Sequence, residues 1–574
     1  MQRELTLPLK HGKVRSNYQD FEAWRKKDGR RMIIHELHAV QQQHGYLPAD
    51  ELRALSRRIN VPLYRLYGVA SFYPHFRLQP PPDVTIQVCR DFSCHLRGAT
   101  EVLAMAETAA ATCPLAAVDV VPTACLGQCD RAPAIAINDR PYTDVKAQRL
   151  TTLLDTITNG HTLRQQRRVR PKTSFACNPY DGPSSYEALR RVLQGGDVAA
   201  CLAELKQSGL RGMGGAGFPT GVKWELVRNT ESETKYVICN ADESEPGTAK
   251  DRFILHMFPD LVLEGMALAA LAVGAQKAIV YIRHEYARER NILQKTLRRR
   301  QTEGILGTAM MGSTRSVEFS IFESPGGYIC GEETALLEAL EDKRAEPRNK
   351  PPFPGTYGLF GHPTLINNVE TFAMVPGILL NGGQWWASQG SNGASGLKFL
   401  AVSGHVKRPG VYEVPLGTTV RELLCERAGG MRRGRALKAF APGGASSGFL
   451  PASMVDIPLD FRALTEAGSM LGSGAVVAVA EGTCMLDLAL NIVRFFRNES
   501  CGKCVPCRVG TEKIVMLLER ILRGHGTQAD LPLIEELSET MALTSICGLG
   551  QAAPHPILSV IKYFKDDILR YITR

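Results

Sequence analysis

Eight of the chain's 15 cysteines stand at spacings that hold metal. Cys501-Gly-Lys-Cys504-Val-Pro-Cys507 is a C-x2-C-x2-C run, and Cys547 follows 40 residues after Cys507. Three thiolates so spaced can wrap one part of an iron–sulfur cube while a distant fourth closes it, as in a 4Fe-4S cluster. A structural zinc site also takes four thiolates, but its ligands usually arrive as two close pairs. Nearer the N-terminus, Cys89-x4-Cys94 and Cys125-x3-Cys129 form two pairs, each at the end of a predicted strand. Thiolates paired from two loops suit the two irons of a 2Fe-2S cluster, with zinc or a redox dithiol as the alternatives this spacing leaves open. Cys113, Cys177, Cys201, Cys239, Cys330, Cys425 and Cys484 have no metal spacing and read as buried small hydrophobes.

The stretch Gly209-Leu-Arg-Gly-Met-Gly-Gly-Ala-Gly-Phe-Pro-Thr-Gly221 holds six glycines in thirteen residues, ahead of a helix-compatible segment. Such a loop lets backbone N–H groups approach a phosphate and set it at a helix N-terminus. It is not a dinucleotide fingerprint of the strand–loop–helix kind, because helical segments (YEALRRVL, ACLAELKQSG) precede it. It also lacks the Gly-Lys-Ser/Thr of a P-loop. Tight-turn packing is the plain alternative.

The elements that must position these groups form several units, since single cores stop growing beyond about 250 to 300 residues. A length of 574 with 44% hydrophobic and 22% charged residues describes a folded multidomain α/β protein and excludes disordered and fibrous chains. Apolar positions recurring at three and four over residues 19–78 predict a helical bundle (1–80). Strands TIQVC, VDVVPT and AIAIN around the helix GATEVLAMAETAA predict a small α/β unit (81–159) with its cysteines at strand ends. A basic, turn-rich stretch (160–183) reads as a linker. Helices then alternate with the strands KYVICN and AIVYIR through 184–395. A strand–turn–strand–helix unit of β-grasp type spans 396–478, and amphipathic helices carry the C-terminal cysteines (479–574).

The charge of +10 is dispersed in clusters, Arg25 to Arg31, Arg164 to Lys172 and Arg298 to Arg300, which read as solvated or docking faces. No aromatic-interleaved basic sheet or recognition helix accompanies them, so nucleic acid is not an expected partner. The start, MQRELTLPLKHGK, has no apolar core, and the longest apolar stretch, Leu261 to Ile282, is broken by Glu264, Gly265, Gly274, Gln276 and Lys277. Both argue against secretion and membrane insertion and for a reducing cytoplasm.

The glycine loop is joined by Asn240-Ala-Asp-Glu-Ser-Glu-Pro-Gly247, Tyr328-Ile-Cys-Gly-Glu-Glu333, Lys350-Pro-Pro-Phe-Pro354, Asn367-Asn368-Val-Glu-Thr371 and Glu499-Ser-Cys-Gly-Lys-Cys-Val-Pro-Cys507. Together they resemble the flavin-containing NADH-binding subunit of respiratory complex I and its relatives, from about residue 200 to the C-terminus. Residues 20–150, with HGYLP, LYGVASFYPHF and ACLGQCDRAPA, resemble the thioredoxin-like 2Fe-2S subunit of the same complex, here fused ahead. The fusion, the loop spelled GLRGMGGAGF and the stretch LPASMVDIPLDF look most like the β (diaphorase) subunit of a cytoplasmic NAD-dependent formate dehydrogenase. The diaphorase subunit of an NAD-reducing hydrogenase is the alternative, followed by a complex I subunit and by a redox scaffold with a vestigial flavin site. Intact Glu243, Glu245, Glu332 and Glu333 argue against the scaffold.

The resemblance implies FMN, NAD, a 2Fe-2S and a 4Fe-4S cluster. It implies that Gly212, Gly214, Gly215, Ala216, Gly217 and Phe218, with Lys223, Asn240, Asp242, Glu243, Gly331, Glu332, Asn367 and Asn368, hold FMN. Phe218 and Phe353 would flank the adenine of NAD(H), with Glu245, Tyr328, Glu333 and Lys350 around its polar groups and Glu245 and Glu333 as the candidate catalytic pair. Cys89, Cys94, Cys125 and Cys129 would carry the 2Fe-2S cluster, and Cys501, Cys504, Cys507 and Cys547 the 4Fe-4S cluster. A flavin is the converter such a chain needs, because a cluster takes one electron at a time whereas a hydride carries two. Two positions depart from the family: Met213 stands where Arg is usual, and Leu226 where a further adenine-contacting aromatic is often found. Nothing resembles a molybdenum, tungsten or nickel site, so a partner catalytic subunit, expected to be a molybdenum or tungsten formate dehydrogenase subunit with further clusters, must carry that chemistry.

Overall fold

A computed structural model describes residues 32–111, 118–158, 161, 163, 175–180, 184–195 and 197–572. Three helices open it: α1 (Ile33–His44), α2 (Ala49–Ile59) and α3 (Leu63–Ala70). In α2, Leu52, Leu55 and Ile59 recur at helical spacing and are buried, so this unit forms by packing apolar stripes. The helical expectation for 19–31 and the basic clusters 25–31 and 164–172 lie outside the described residues, as does Cys113.

The next unit pairs β1 (Val84–Cys89) in parallel with β2 (Val118–Thr123) and antiparallel with β3 (Ala134–Ile137), which pairs with β4 (Arg140–Thr143). Helices α4 (Ala99–Ala111) and α5 (Ala147–Thr158) complete it. The fourth strand, Arg-Pro-Tyr-Thr, has no alternation by which a sequence could announce it.

The distal part of the stretch read as a linker is packed. Phe175 lies against Phe253, Phe258 and Phe399, the amides of Ala176 and Cys177 donate to Glu413, and the Tyr180 hydroxyl donates to Glu264. Polar composition hid this, because its contacts are made by single aromatic residues with no period.

Beyond it come α6 (Glu187–Gly195), α7 (Val198–Gln207) and α8 (Thr220–Asn229), then strands β5 (Tyr236–Ala241), β6 (Lys277–Arg283), β7 (Glu318–Ser324) and β8 (Thr364–Asn368). All pairings are parallel, in the order β7-β6-β5-β8. Near-continuous apolar runs such as KAIVYIR fit such a sheet, because helices cover both its faces. Among those helices are α9 (Lys250–Met257), α10 (Pro259–Val273), α11 (Ala287–Thr302), α12 (Glu333–Leu340) and α13 (Val369–Asn381). A Cβ at Gly265 in α10 would run into the carbonyl of Phe372 in α13, so glycine permits that close crossing. Arg300 is not on a solvated face: it is 8% exposed and pairs with Asp260 and Glu303.

Strands β9 (Leu397–Gly404), β10 (Gly410–Pro415), β11 (Leu437–Ala441), β12 (Leu450–Pro451) and β13 (Ala475–Ala480) form a second sheet in the order β10-β9-β13-β11-β12. The C-terminal helices are α14 (Met485–Asn498), α15 (Val505–Arg520), α16 (Asp530–Thr544) and α17 (His555–Tyr563). Among the described residues no single helix is long and apolar enough to cross a membrane.

Candidate functional site

The motif-bearing stretches gather at one edge of the parallel sheet. Asn240 and Asp242 leave β5, Ser324 ends β7, and Asn367 and Asn368 end β8, all at strand carboxyl ends. The chain runs from β5 outward to β6 and β7, then returns to β8 on the other side, so the β5/β8 boundary is a topological switch point. Open α/β sheets bind ligands there. Asn240 Nδ2 donates to the carbonyl of Gly331 at 2.8 Å, tying the end of β5 to the loop before α12.

The glycine loop closes over this edge. Gly212 N donates to Phe218 O at 2.8 Å and Met213 N to Thr371 Oγ1 at 2.9 Å. For the amides of Gly214, Gly215, Ala216 and Gly217 there is no acceptor among the described residues. A Cβ on Gly214 would stand 3.1 Å from that of Asn368, and one on Gly217 would strike the ring of Phe461 at 2.7 Å. Uncommitted amides before the N-terminus of α8 fit an anionic phosphate. Met213, the departure from the family's Arg, is 1% exposed, so its side chain fills core and offers nothing to a ligand.

Beside the loop lie three large exposed side chains, Phe218 (47%), Leu226 (57%) and Phe353 (58%). A charged set adjoins them: Lys223 is 3.4 Å from Glu333, and Lys350 is 3.0 Å from Glu332 and 3.3 Å from Glu333. Burial alone would raise the Glu333 carboxyl, but the two ammonium groups hold it below its ordinary range. Exposed aromatic faces beside fixed charges fit a nucleotide base and its polar groups.

Other expected contacts turn into the protein. Both oxygens of Glu243 accept from the amides of Asp251 and Arg252 at the start of α9, and one also accepts from the Tyr286 hydroxyl. Burial pushes Glu243 up to about 7. Asp242 accepts from Ser244 and Ser324, and burial pushes it up to about 6. Asn367 accepts from Trp224 Nε1, and Glu332 caps α12 while also meeting Lys350. These side chains are engaged within the protein, whereas Lys223, Glu333 and Lys350 are paired with one another and partly exposed. Glu245 has other partners: burial raises its carboxyl, Ser446, from the second sheet's loops, gives it both N–H and O–H, and the Tyr328 hydroxyl lies 3.2 Å from Ser446 Oγ.

The thiols fall into two sets. Cys125 and Cys129 sulfurs are 3.4 Å apart, the neighbouring thiols of Cys125 and Cys94 push the Cys89 thiol well above its ordinary range, and all four are buried. Four buried thiols from two loops are the donor set a 2Fe-2S cluster takes. In the other set, Cys504 and Cys547 each stand just before a helix, and Ser500 Oγ lies 3.2 Å from the Cys507 sulfur. A Cβ at Gly550 would come within 2.9 Å of Cys507 Cβ, so glycine keeps the two cysteine segments close, as a shared 4Fe-4S cube requires. Of the cysteines read as hydrophobes, Cys177, Cys239 and Cys330 are buried, Cys201 and Cys484 are half-buried and Cys425 is exposed. Sequence reasoning missed Arg252, Arg283 and Ser446; only the abrupt charge ending the apolar run AIVYIR hinted at Arg283.

Comparison with known proteins agrees with this geometry. Residues 205–377 match the Nuo51 FMN-binding domain, 20–158 the thioredoxin-like 2Fe-2S ferredoxin, 487–571 the NADH-ubiquinone oxidoreductase-F iron–sulfur binding region and 399–450 the SLBB domain. The second F-type subunit of the NADH-quinone oxidoreductase of Rhizobium meliloti is 44% identical over 406 residues, 71% of this chain and 96% of the relative. Its F-type counterpart in Escherichia coli is 41% identical over 390 residues, 68% of this chain and 88% of the relative. The solved structure of an NAD+-reducing NiFe-hydrogenase in the air-oxidised state matches with TM-score 0.84 and 34% identity, covering 94% of this chain and 93% of that one. The chain belongs to the family of NADH-oxidising flavin and iron–sulfur subunits, with a thioredoxin-like 2Fe-2S unit joined ahead of the FMN-binding unit in one polypeptide.

Proposed function

We propose that this chain passes electrons between NAD(H) and a partner catalytic subunit, with FMN seated on the glycine loop and the carboxyl edge of β5 and β8. Bound FMN supplies the conversion between a hydride and single electrons. The observation that carries this reading is the convergence of uncommitted loop amides, exposed Phe218 and Phe353, and the Lys223–Glu333–Lys350 set at a topological switch point. Lys223 and Lys350 orient Glu333 toward the nucleotide, Glu245 is fixed by Tyr328 and Ser446, and the aromatic faces hold the adenine. Cys89, Cys94, Cys125 and Cys129 hold the 2Fe-2S cluster; Cys501, Cys504, Cys507 and Cys547 hold the 4Fe-4S cluster. Tyr328 N donates to Glu499 at 2.6 Å, which ties the nucleotide side to the C-terminal cysteine loop. The test is oxidation of NADH by an artificial dye with the isolated chain. Glu245→Gln should raise the dissociation constant for NADH, and parental affinity would remove Glu245 from the site.

Formate is the partner's substrate in this reading, supported by the loop GLRGMGGAGF and the stretch LPASMVDIPLDF. A second reading, hydrogen, is favoured by the end-to-end likeness to the hydrogenase chain. Purification from the native host with metal analysis separates them. Molybdenum or tungsten with formate-dependent NAD+ reduction supports formate, nickel with hydrogen-dependent reduction supports hydrogen, and a membrane-bound quinone-reducing assembly overturns both.

A further inference from the structure

The cysteine loop at 125–129 is held by donors from a different unit. Arg283, at the carboxyl end of β6, is 2% exposed; its Nη2 donates to the carbonyl of Cys125 at 2.7 Å, and its Nη1 donates to the carbonyl of Glu243. Arg252 in α9, 3% exposed, donates to the carbonyl of Gly127 and, at 2.6 Å, to Asp130. Gly247 N donates to the Cys129 sulfur at 3.2 Å. A Cβ at Gly127, which sits at φ +64°, would fall 2.5 Å from the Tyr286 hydroxyl, so glycine lets the loop come this close.

Arg283 thus touches the loops of both redox groups, the backbone of a cysteine on one side and the β5 loop on the other. Glu285 accepts from its Nε at 2.9 Å and Nη2 at 2.6 Å, and the Tyr286 ring lies 5.2 Å from its Cζ. These contacts fix the guanidinium so that positive N–H groups, and not the carboxylate, meet the Cys125 carbonyl. A cluster gains negative charge on reduction, and its potential follows net charge, hydrogen bonds to sulfur and solvent exclusion. Buried cationic donors act strongly because little water screens them.

We propose that Arg283 is a positioning residue that raises the reduction potential of the N-terminal 2Fe-2S cluster from across the unit boundary, with the Gly247 amide acting in the same direction. The cluster's potential is then a property of the joined chain, set partly by the FMN-binding unit. This rests on the assignment of that cluster to Cys89, Cys94, Cys125 and Cys129.

The test is a redox titration of the full chain followed by EPR, with the C-terminal cluster signal as the control for folding. Arg283→Gln should lower the midpoint of the 2Fe-2S signal, and Arg283→Lys, which keeps the charge, should stay closer to the parent. A midpoint for Arg283→Gln equal to the parent's, or an equal fall in both variants, overturns the proposal. If Arg283→Gln does not retain the cluster, Arg252→Gln decides: a lowered midpoint supports control from the FMN-binding unit, and an unchanged one overturns it. Absence of any 2Fe-2S signal in the parent would instead defeat the cluster assignment itself.

Discussion

Asn240 stands directly across from Asn368 in the register between β5 and β8. That pairing brings the NADESEPG loop and the NNVET turn to one edge. Asn368 is also a hub: its Oδ1 accepts from Lys250 at 3.0 Å and from the amide of Glu370, and its Nδ2 donates to Asp251 at 2.7 Å. Lys250 is fully buried, so truncation leaves a charged group short of a partner. Asn368→Ala should cost roughly 1 to 3 kcal/mol of stability and loosen FMN. Thermal unfolding and flavin-release titration check this; parental values in both would remove Asn368 from the wall of the site.

The two thiol sets occupy separate units, so they should be separable by mutation. The parent should hold about six iron atoms, two in one cluster and four in the other. Cys507→Ser should remove the 4Fe-4S EPR signal and leave the 2Fe-2S signal. Iron quantification with EPR is the measurement, and zinc in place of iron at either set would sink the assignment.

Much of this arrangement is legible in the sequence, for definite reasons. The cysteine spacings, the glycine loop and the β-branched runs KYVICN and AIVYIR are local patterns, and local patterns map onto local structure. What is not legible depends on partners far apart in the chain. Arg283 meets Cys125 from 158 positions away, and nothing in its neighbourhood announces that contact. Residue type alone also does not announce the internal partners of Asp242, Glu243 and Asn368, which lie at the expected edge and bond to Ser244 and Ser324, to the amides of Asp251 and Arg252, and to Lys250 and Asp251. Glu264 and Gly265, which break the apolar stretch of α10, answer to partners distant in the chain: Tyr180 and Ser184 bond to Glu264, and the Phe372 carbonyl packs against Gly265.

Glu264 gives a pH test remote from the clusters. Burial pushes its carboxyl from 4.5 up to about 7, and Tyr180, Ser184 and the Leu189 amide hold it. Because the folded state favours the protonated form, its contribution is fully present below about pH 4.5 and is lost as pH rises through about 7. At about 1.4 kcal/mol per unit, the loss is up to roughly 3 kcal/mol. Glu264→Gln should flatten that part of the stability–pH curve, as read by denaturant unfolding between pH 4.5 and 8. A curve parallel to the parent's would mean Glu264 ionises as freely when folded as when unfolded.

Leu226 offers the sharpest test of where the nucleotide base lies. It is 57% exposed on α8, a helix that begins just after Phe218. Gly355, two residues after Phe353, lies close enough that a Cβ there would be 3.3 Å from Val227, so the Phe353 loop packs against the same helix. A leucine in this position offers contact area but no π-face. Leu226→Phe should therefore add a stacking surface worth about 0.5 to 1.5 kcal/mol, which is roughly a two- to tenfold tighter dissociation constant for NADH. Because the side chain is exposed, the larger ring needs no core rearrangement, and stability should stay near the parent's. Phe353→Ala is the companion, expected to weaken binding. If Leu226→Phe leaves affinity unchanged while Phe353→Ala lowers it, the adenine lies against the Phe353 loop and away from α8. If neither variant changes the titration, the base binds elsewhere and the exposed aromatic faces have another role.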